Sequence, residues 1–259
     1  FRRVLFRSRG FRDYSPLTEG WWHVYSRWIS QGKIPYRDFE LLVPPGYPLL
    51  LRLMSMIFGE QFLTLRFIGS IQIGLIGIFV WALTRRLAAD KYAVFISLAS
   101  IAYLCSGTAF ISYDYVYTAL LFLLASLSLA LHIELDKAIS WRKLKLGWVL
   151  VGMFSGLSLL IKQTQGAASI CAAVGVVVVS NLRSRTTIYS KLGLLSSGIC
   201  FVWLPILVWL ALNGVTPVEF VEEMSASQGP KGSINEVLFS WIGDVFKWPQ
   251  PIGILQTVA

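Results

Sequence analysis

Long apolar runs separated by short polar loops dominate the chain from residue 61 onward. The runs near 61–84, 92–110, 115–133, 146–161, 166–181 and 192–212 approach the ~20 residues a helix needs to cross a bilayer, and they predict a bundle of about six spans over 61–213. Ahead of them the pattern changes. Over 17–31, Leu17, Trp21, Val24 and Trp28 share one helical stripe, with Glu19, His23, Arg27 and Ser30 on the opposite side. That spacing predicts an amphipathic helix capped by Thr18 and ended at Gly32. Its Trp and Tyr content suits a helix lying in the membrane interface. The prolines of GKIPYRDFELLVPPG rule out a regular helix there. YPLLLRLMSMIF (47–58) is apolar but too short to span, so it is expected to be interfacial or re-entrant. From 214 to 259 the chain is polar again, with helical spacing at Ile234, Leu238, Trp241 and Val245 predicting a second interfacial helix over 234–246.

Composition sharpens this into a class: an all-α, polytopic membrane protein. Only 14% of residues are charged, against about a quarter in soluble domains. The formal charge of +9 does not indicate a nucleic-acid partner, because most Lys and Arg lie in short clusters between apolar runs. Arg85, Arg86 and Lys91, then Lys137, Arg142, Lys143 and Lys145, then Arg183, Arg185 and Lys191 mark cytoplasmic loops. ISYDYVY, KQTQG and the first loop (9–60) are thereby expected on the outer side. Cys105, Cys171 and Cys200 each sit inside an apolar run and are expected to be small buried hydrophobes. FRRVLFRS (1–8) reads as one frame of a sequencing-adapter oligonucleotide and is set aside, which takes the charge from +9 to +6 as Arg2, Arg3 and Arg7 leave. The remainder is expected to be an internal fragment whose natural chain begins earlier, with a preceding membrane helix.

The candidate chemistry gathers in the outer loops. Four carboxylates, Asp13, Glu19, Asp38 and Glu40, stand in a first loop that is otherwise aromatic and basic. Glu19 reads either as a solvated acid on a surface helix or as a general base, since crowded carboxylates beside lipid raise one another's pKa. Asp38 and Glu40 are the other candidates for that base. His23, one turn beyond Glu19, reads as a polar-face residue rather than a metal ligand, and no metal site is evident. Asp114 reads equally as a helix cap and as an acid that faces Glu19 to bind an acceptor or a divalent cation. Lys162, with Gln163 beside it, either snorkels to the headgroups or neutralises a phosphate, and Arg66 invites the same two readings. Arg52 is the only charge in its apolar segment.

An acid before an amphipathic helix, then QGKIPYRDF, a Pro-rich turn, YPLLLRLMSMIFG and LTLRFIGS resemble the GT-C glycosyltransferases. The similarity is to the bacterial branch that includes relatives of dolichyl-phosphate-mannose protein mannosyltransferases and of the lipid A aminoarabinose transferase. SYDYVYTALLFLLA and GLSLLIKQTQG are similar to later segments of that branch, and the resemblance covers 13–213. It implies a hexosyl- or pentosyltransferase in the bacterial inner membrane. The enzyme would move a sugar, with inversion, from a polyprenyl-phosphate donor to a hydroxyl of a glycan, lipid or protein at the outer face. The family's catalytic acid maps onto Glu19, although Thr18 stands where members often carry a second acid. The alternative reading of the spans is a transporter or lipid flippase, which calls for ionisable groups near the membrane midplane.

Overall fold

The computed structural model describes residues 20–41, 43–59, 62–86, 88–105, 114–136, 140–182 and 184–226, with the side chains of 62–64 and 223–226 left undescribed. The described chain forms nine helices: α1 (Trp21–Ser30), α2 (Gly46–Phe58), α3 (Phe62–Thr84), α4 (Asp90–Cys105), α5 (Tyr115–Leu135), α6 (Trp141–Ile161), α7 (Gln163–Ser180), α8 (Arg185–Leu212) and α9 (Pro217–Ala226). Its only β-type pairing is an isolated bridge between Pro35 and Phe39.

Among the described residues, five helices are long and apolar enough to cross a membrane: Leu65–Thr84, Tyr115–Leu135, Trp141–Ile161, Gln163–Ser180 and Arg185–Leu212. The protein is therefore a polytopic, all-α membrane protein. The expected span at 92–110 corresponds to α4, whose described part is 16 residues long; residues 106–110 lie outside the described chain. α6 and α8 begin earlier than the apolar runs did, because both helices absorb flanking basic residues into their first turns. The predicted helix over 234–246 lies outside the described residues.

α6 is the hub, packed against α5, α7 and α8. Small residues let the backbones touch. A Cβ on Gly152 would fall 2.1 Å from the Leu195 carbonyl oxygen, and one on Gly198 would fall 2.1 Å from that of Val149. Such contacts replace the hydrophobic drive that is missing between helices in lipid. Hydroxyls supply the rest: Ser155 Oγ lies 2.8 Å from Ser126 Oγ and 2.9 Å from Ser169 Oγ, and Ser158 donates to the Ala119 carbonyl at 2.9 Å. Hydrogen bonds of this kind between membrane helices contribute roughly 0.6 kcal/mol each.

The α6–α7 hairpin turns on one residue. Lys162 alone separates the two helices, with extended backbone angles (φ −149°, ψ 120°). Its N–H donates to Ser158 and its carbonyl accepts from Gly166, both at 2.9 Å, so the corner leaves neither backbone group unsatisfied. Ser155 and Ser169, each seven positions from Lys162, meet across the hairpin. Gly166 permits the fold-back, because a Cβ there would lie 2.0 Å from Leu159 Cα.

One end of the bundle is capped by α1, the turn after it and α2. α1 stops where Gly32 takes φ 82° and the N–H groups of Gly32 and Lys33 return to Ile29 and Trp28, a Schellman-type ending. Its Trp21 and Val24 stripe points outward (56% and 43% exposed), while Trp22 (7% exposed) and Ser26 face the bundle. The helix thus has two working faces, of which only the outer one was evident in the stripe expected over 17–31. Two further expectations are corrected. The three cysteines are exposed on helix surfaces rather than buried; for spanning helices that is the lipid-facing side, where an apolar residue needs no burial in protein. Lys191, expected in a solvent-facing basic cluster, is instead buried within α8.

Candidate active site

At the capped end, three structural decisions bring charge and aromatic surface together. Asp114 caps α5, its carboxylate accepting from the Val116 N–H at 3.1 Å, which fixes the side chain beside the helix start. The α6–α7 corner delivers Lys162 to the same end. Gly46, at the start of α2, packs so closely on Leu160 that a Cβ would meet its carbonyl oxygen at 2.5 Å, which seats α2 against that corner.

The Lys162 ammonium lies 5.1 Å from the centre of the Tyr115 ring, a cation–π distance. Among the described residues it forms no ion pair within 4 Å and no side-chain hydrogen bond. Burial pushes the Lys162 ammonium pKa down, opposed by the charge of Asp114. Burial likewise pushes the Asp114 carboxyl up, opposed by the Val116 N–H and then by Lys162. The two groups therefore sense each other electrostatically while both are half-buried, and each stabilises the other's charged form.

A series of rings runs from this corner to the first-loop acids. Trp22 lies 4.9 Å from Tyr115 and 6.0 Å from Tyr25, and Tyr25 stacks on Phe39 at 5.4 Å. Phe39 stands between Asp38 and Glu40 in sequence. Glu40 is exposed; burial, with the Glu40 charge second, pushes the Tyr25 hydroxyl up. Buried Trp22 has no hydrogen-bond partner for its indole Nε1 among the described residues.

Asp38 is fully engaged. Arg37 Nε donates to Oδ1 and Arg37 Nη2 to Oδ2, both at 2.9 Å, while the Ile34 N–H donates to Oδ2 at 2.8 Å. The Arg37 guanidinium and then the Ile34 N–H hold its pKa down at about 2. Glu19 lies outside the described residues. His23 is half-buried on α1, Arg66 half-buried near the start of α3, and Gln163 is the half-buried first residue of α7. The structure thus brings Asp114, Lys162 and Gln163 to one corner and ties Glu40 to it through the rings, whereas Asp38 is spent on Arg37. No three His, Cys, Asp or Glu side chains among the described residues are grouped so as to hold a metal ion.

One charged cluster went unnoticed in the sequence. Lys191 Nζ donates to Glu134 Oε1 and, at 3.2 Å, to Asn181 Oδ1. Asn181 Nδ2 donates to Glu134 Oε2 at 3.2 Å, and the Trp148 ring lies 6.0 Å from the ammonium. The cluster joins α5, α6, α8 and the end of α7 at the end of the bundle opposite Lys162. A Glu in the last turn of an apolar helix was its only sequence signal.

The family model described as dolichyl-phosphate-mannose-protein mannosyltransferase matches residues 43–209. Neither a curated protein nor a solved structure matches the chain.

Proposed function

The chain belongs to the dolichyl-phosphate-mannose-protein mannosyltransferase family, and on that premise we propose that it moves a sugar from a polyprenyl-phosphate donor to an acceptor hydroxyl. Membrane glycosyltransferase activity follows from the family; the donor and the residue roles are our reading. Lys162 is the observation that carries it. A half-buried ammonium that makes no ion pair and no side-chain hydrogen bond among the described residues, beside an acid and on an aromatic face, suits a lipid-linked phosphate at the bilayer surface.

In the single displacement proposed, a first-loop carboxylate removes the proton of the acceptor hydroxyl. The freed oxygen pair attacks the anomeric carbon, the bond from that carbon to the phosphate oxygen breaks with inversion, and the electron pair leaves on the lipid phosphate. Lys162 offsets the charge that gathers there, with Gln163 and Arg66 as further contacts to the donor. Asp114 holds Lys162 charged, and His23 contacts the acceptor from α1. Glu19 is the favoured base. Glu40 is second, because Asp38 at a pKa of about 2 is a weak proton acceptor whose oxygens are already engaged. A divalent cation, if one takes part, would draw on Glu19 and Asp114. The distribution of basic residues supports a reaction on the extracytoplasmic side, and a bacterial inner membrane is part of the same reading.

The test compares E19Q and E40Q in the full chain, reading transfer of labelled mannose from polyprenyl-phosphate mannose in membranes that hold the native acceptors. Loss of a general base should lower the rate by roughly 10²–10⁴-fold with donor binding kept. E19Q is expected to show that loss. Full activity in E19Q with loss in E40Q moves the role to Glu40, and full activity in both variants removes the first loop from the chemistry.

A further inference from the structure

The turn KIPYRDF is folded far more tightly than a connection requires. Tyr36 has φ 68°, the only non-glycine residue with positive φ among those described, and an aromatic residue held there is strained. What holds it is local and specific. Its N–H donates to the Phe39 carbonyl at 3.0 Å, its hydroxyl donates to the Val43 carbonyl at 2.7 Å, and its ring packs at 5.0 Å against Phe220 of α9.

Phe220 comes from the segment beyond the last span. α8 ends in a Schellman motif, with Gly214 at φ 85° and the N–H groups of Gly214 and Val215 returning to Ala211 and Leu210. α9 then starts with a capping box, in which the Thr216 N–H donates to Glu219 Oε2 at 2.8 Å and the Glu219 N–H to Thr216 Oγ1 at 3.2 Å. These devices fix where Phe220 points. They also leave the Asn213 carbonyl facing out, and Arg37 Nη1 donates to it at 2.9 Å across 176 positions of sequence. Arg37 thus uses one guanidinium to bind Asp38 in its own turn and the C-terminus of α8, a helix end that favours positive charge. Phe220 rests in turn on Trp203 at 6.4 Å, and Trp203 Nε1 donates to the Gly156 carbonyl of α6 at 3.1 Å. Both halves of the contact, 33–41 and 213–220, lie outside the stretch matched to the family.

We propose that the 33–41 turn and α9 are the two halves of a clasp, closed by Arg37 on Asn213 and by Tyr36 on Phe220, and that Arg37 is a positioning residue for sugar transfer. The clasp fixes the loop that carries Glu40 and abuts α1, which follows Glu19 in the chain, against the end of α8, so the first-loop acids and the Lys162 corner keep one separation through turnover. The second half of the proposal rests on the transferase reading; the first does not.

The test uses the full chain with Cys105, Cys171 and Cys200 replaced by Ala and with Y36C and F220C as a reporter pair for a short bismaleimide. In this parent the pair should cross-link in high yield. Adding R37M should lower both the cross-linking yield and the transfer of labelled mannose about tenfold, the scale of losing a charge-assisted hydrogen bond. R37K should fall between, because an ammonium cannot span carboxylate and carbonyl as the planar fork does. The decisive reading is the cross-linked fraction of R37M, whose transfer rate should return to that of the cross-linked parent. An R37M chain that cross-links like its parent overturns the clasp. A cross-linked R37M chain that stays slow overturns the positioning role. If the chain without any of these substitutions transfers no sugar at all, the transferase reading fails while the cross-linking yield still decides the clasp.

Discussion

Lys162 and Lys191 stand at opposite ends of α7, and each has an acid from α5 or its cap for company. Lys191 is completely committed. Its side chain and that of Glu134 are 6% and 8% exposed, and Asn181 hydrogen-bonds to both. Burying two charges that thoroughly costs several kcal/mol per ion, which only close pairing can offset. Lys162 is buried less and paired less. Asp114 lends it a field but spends its own carboxylate on the α5 cap, and the ammonium is left against an aromatic face. Pairing thus separates a lysine that holds helices together from one able to meet a ligand, although both look alike as basic residues at the edge of an apolar run. It also bears on the transporter alternative: the ionisable pair found within the helices is saturated and near the helix ends rather than waiting at mid-span.

The contrast can be broken in three ways. Its largest expected effect is on stability at the Lys191 end. K191M or E134L alone should destabilise the fold by about 3–5 kcal/mol, because each strands a buried charge, whereas the double variant should come within about 1 kcal/mol of the parent. Unfolding in detergent reads this, and a double variant as unstable as the singles would show that the pair contributes more than mutual neutralisation. Next comes K162M, which should lower sugar transfer by roughly 10²–10³-fold while shifting stability by less than about 1 kcal/mol. A large loss of stability with normal turnover would reverse the roles assigned to the two lysines.

The smallest effect is on pH dependence. Asp114 has a raised pKa, so the fold favours its protonated form; that contribution is complete below its unfolded pKa and is lost as pH rises through the folded value. D114N keeps the cap acceptor and should remove this loss of stability across the carboxylate range. It also removes the charge that supports the Lys162 ammonium, whose pKa should fall further. The basic limb of the transfer profile then moves to lower pH. A profile that does not move would mean that the two groups are uncoupled during turnover.

Much of this architecture was legible in the chain because a bilayer imposes length. The apolar runs located five helices long and apolar enough to cross a membrane, and a cap, one of the two even readings of Asp114, is what the structure contains. Contacts set by tertiary geometry were not legible. Nothing in the basic cluster around Lys191 points to Glu134, 57 positions away, or in YRDF to Asn213. α1 shows the limit of periodicity. Its apolar stripe identified Trp21 and Val24, yet Trp22 is the residue that meets Tyr115, and a helix wedged between lipid and protein carries two apolar directions that one stripe cannot describe. The cysteines were misjudged for a related reason: inside a bilayer, apolar character says nothing about which side of a helix faces protein. Asp38 looked like its neighbour Glu40 until its partners were known.

The corner at Lys162 has one more consequence. Surface loops ordinarily absorb inserted residues because slack is spread over several positions. Here the whole reversal takes place in a single link, so adding or removing one amino acid would spin α7 by about 100° and carry Ser169 away from Ser155. The length of this junction is therefore as much a part of the site as the ammonium it bears, and a redesign that keeps the lysine but changes the spacing would lose both the hairpin contacts and the placement of the charge.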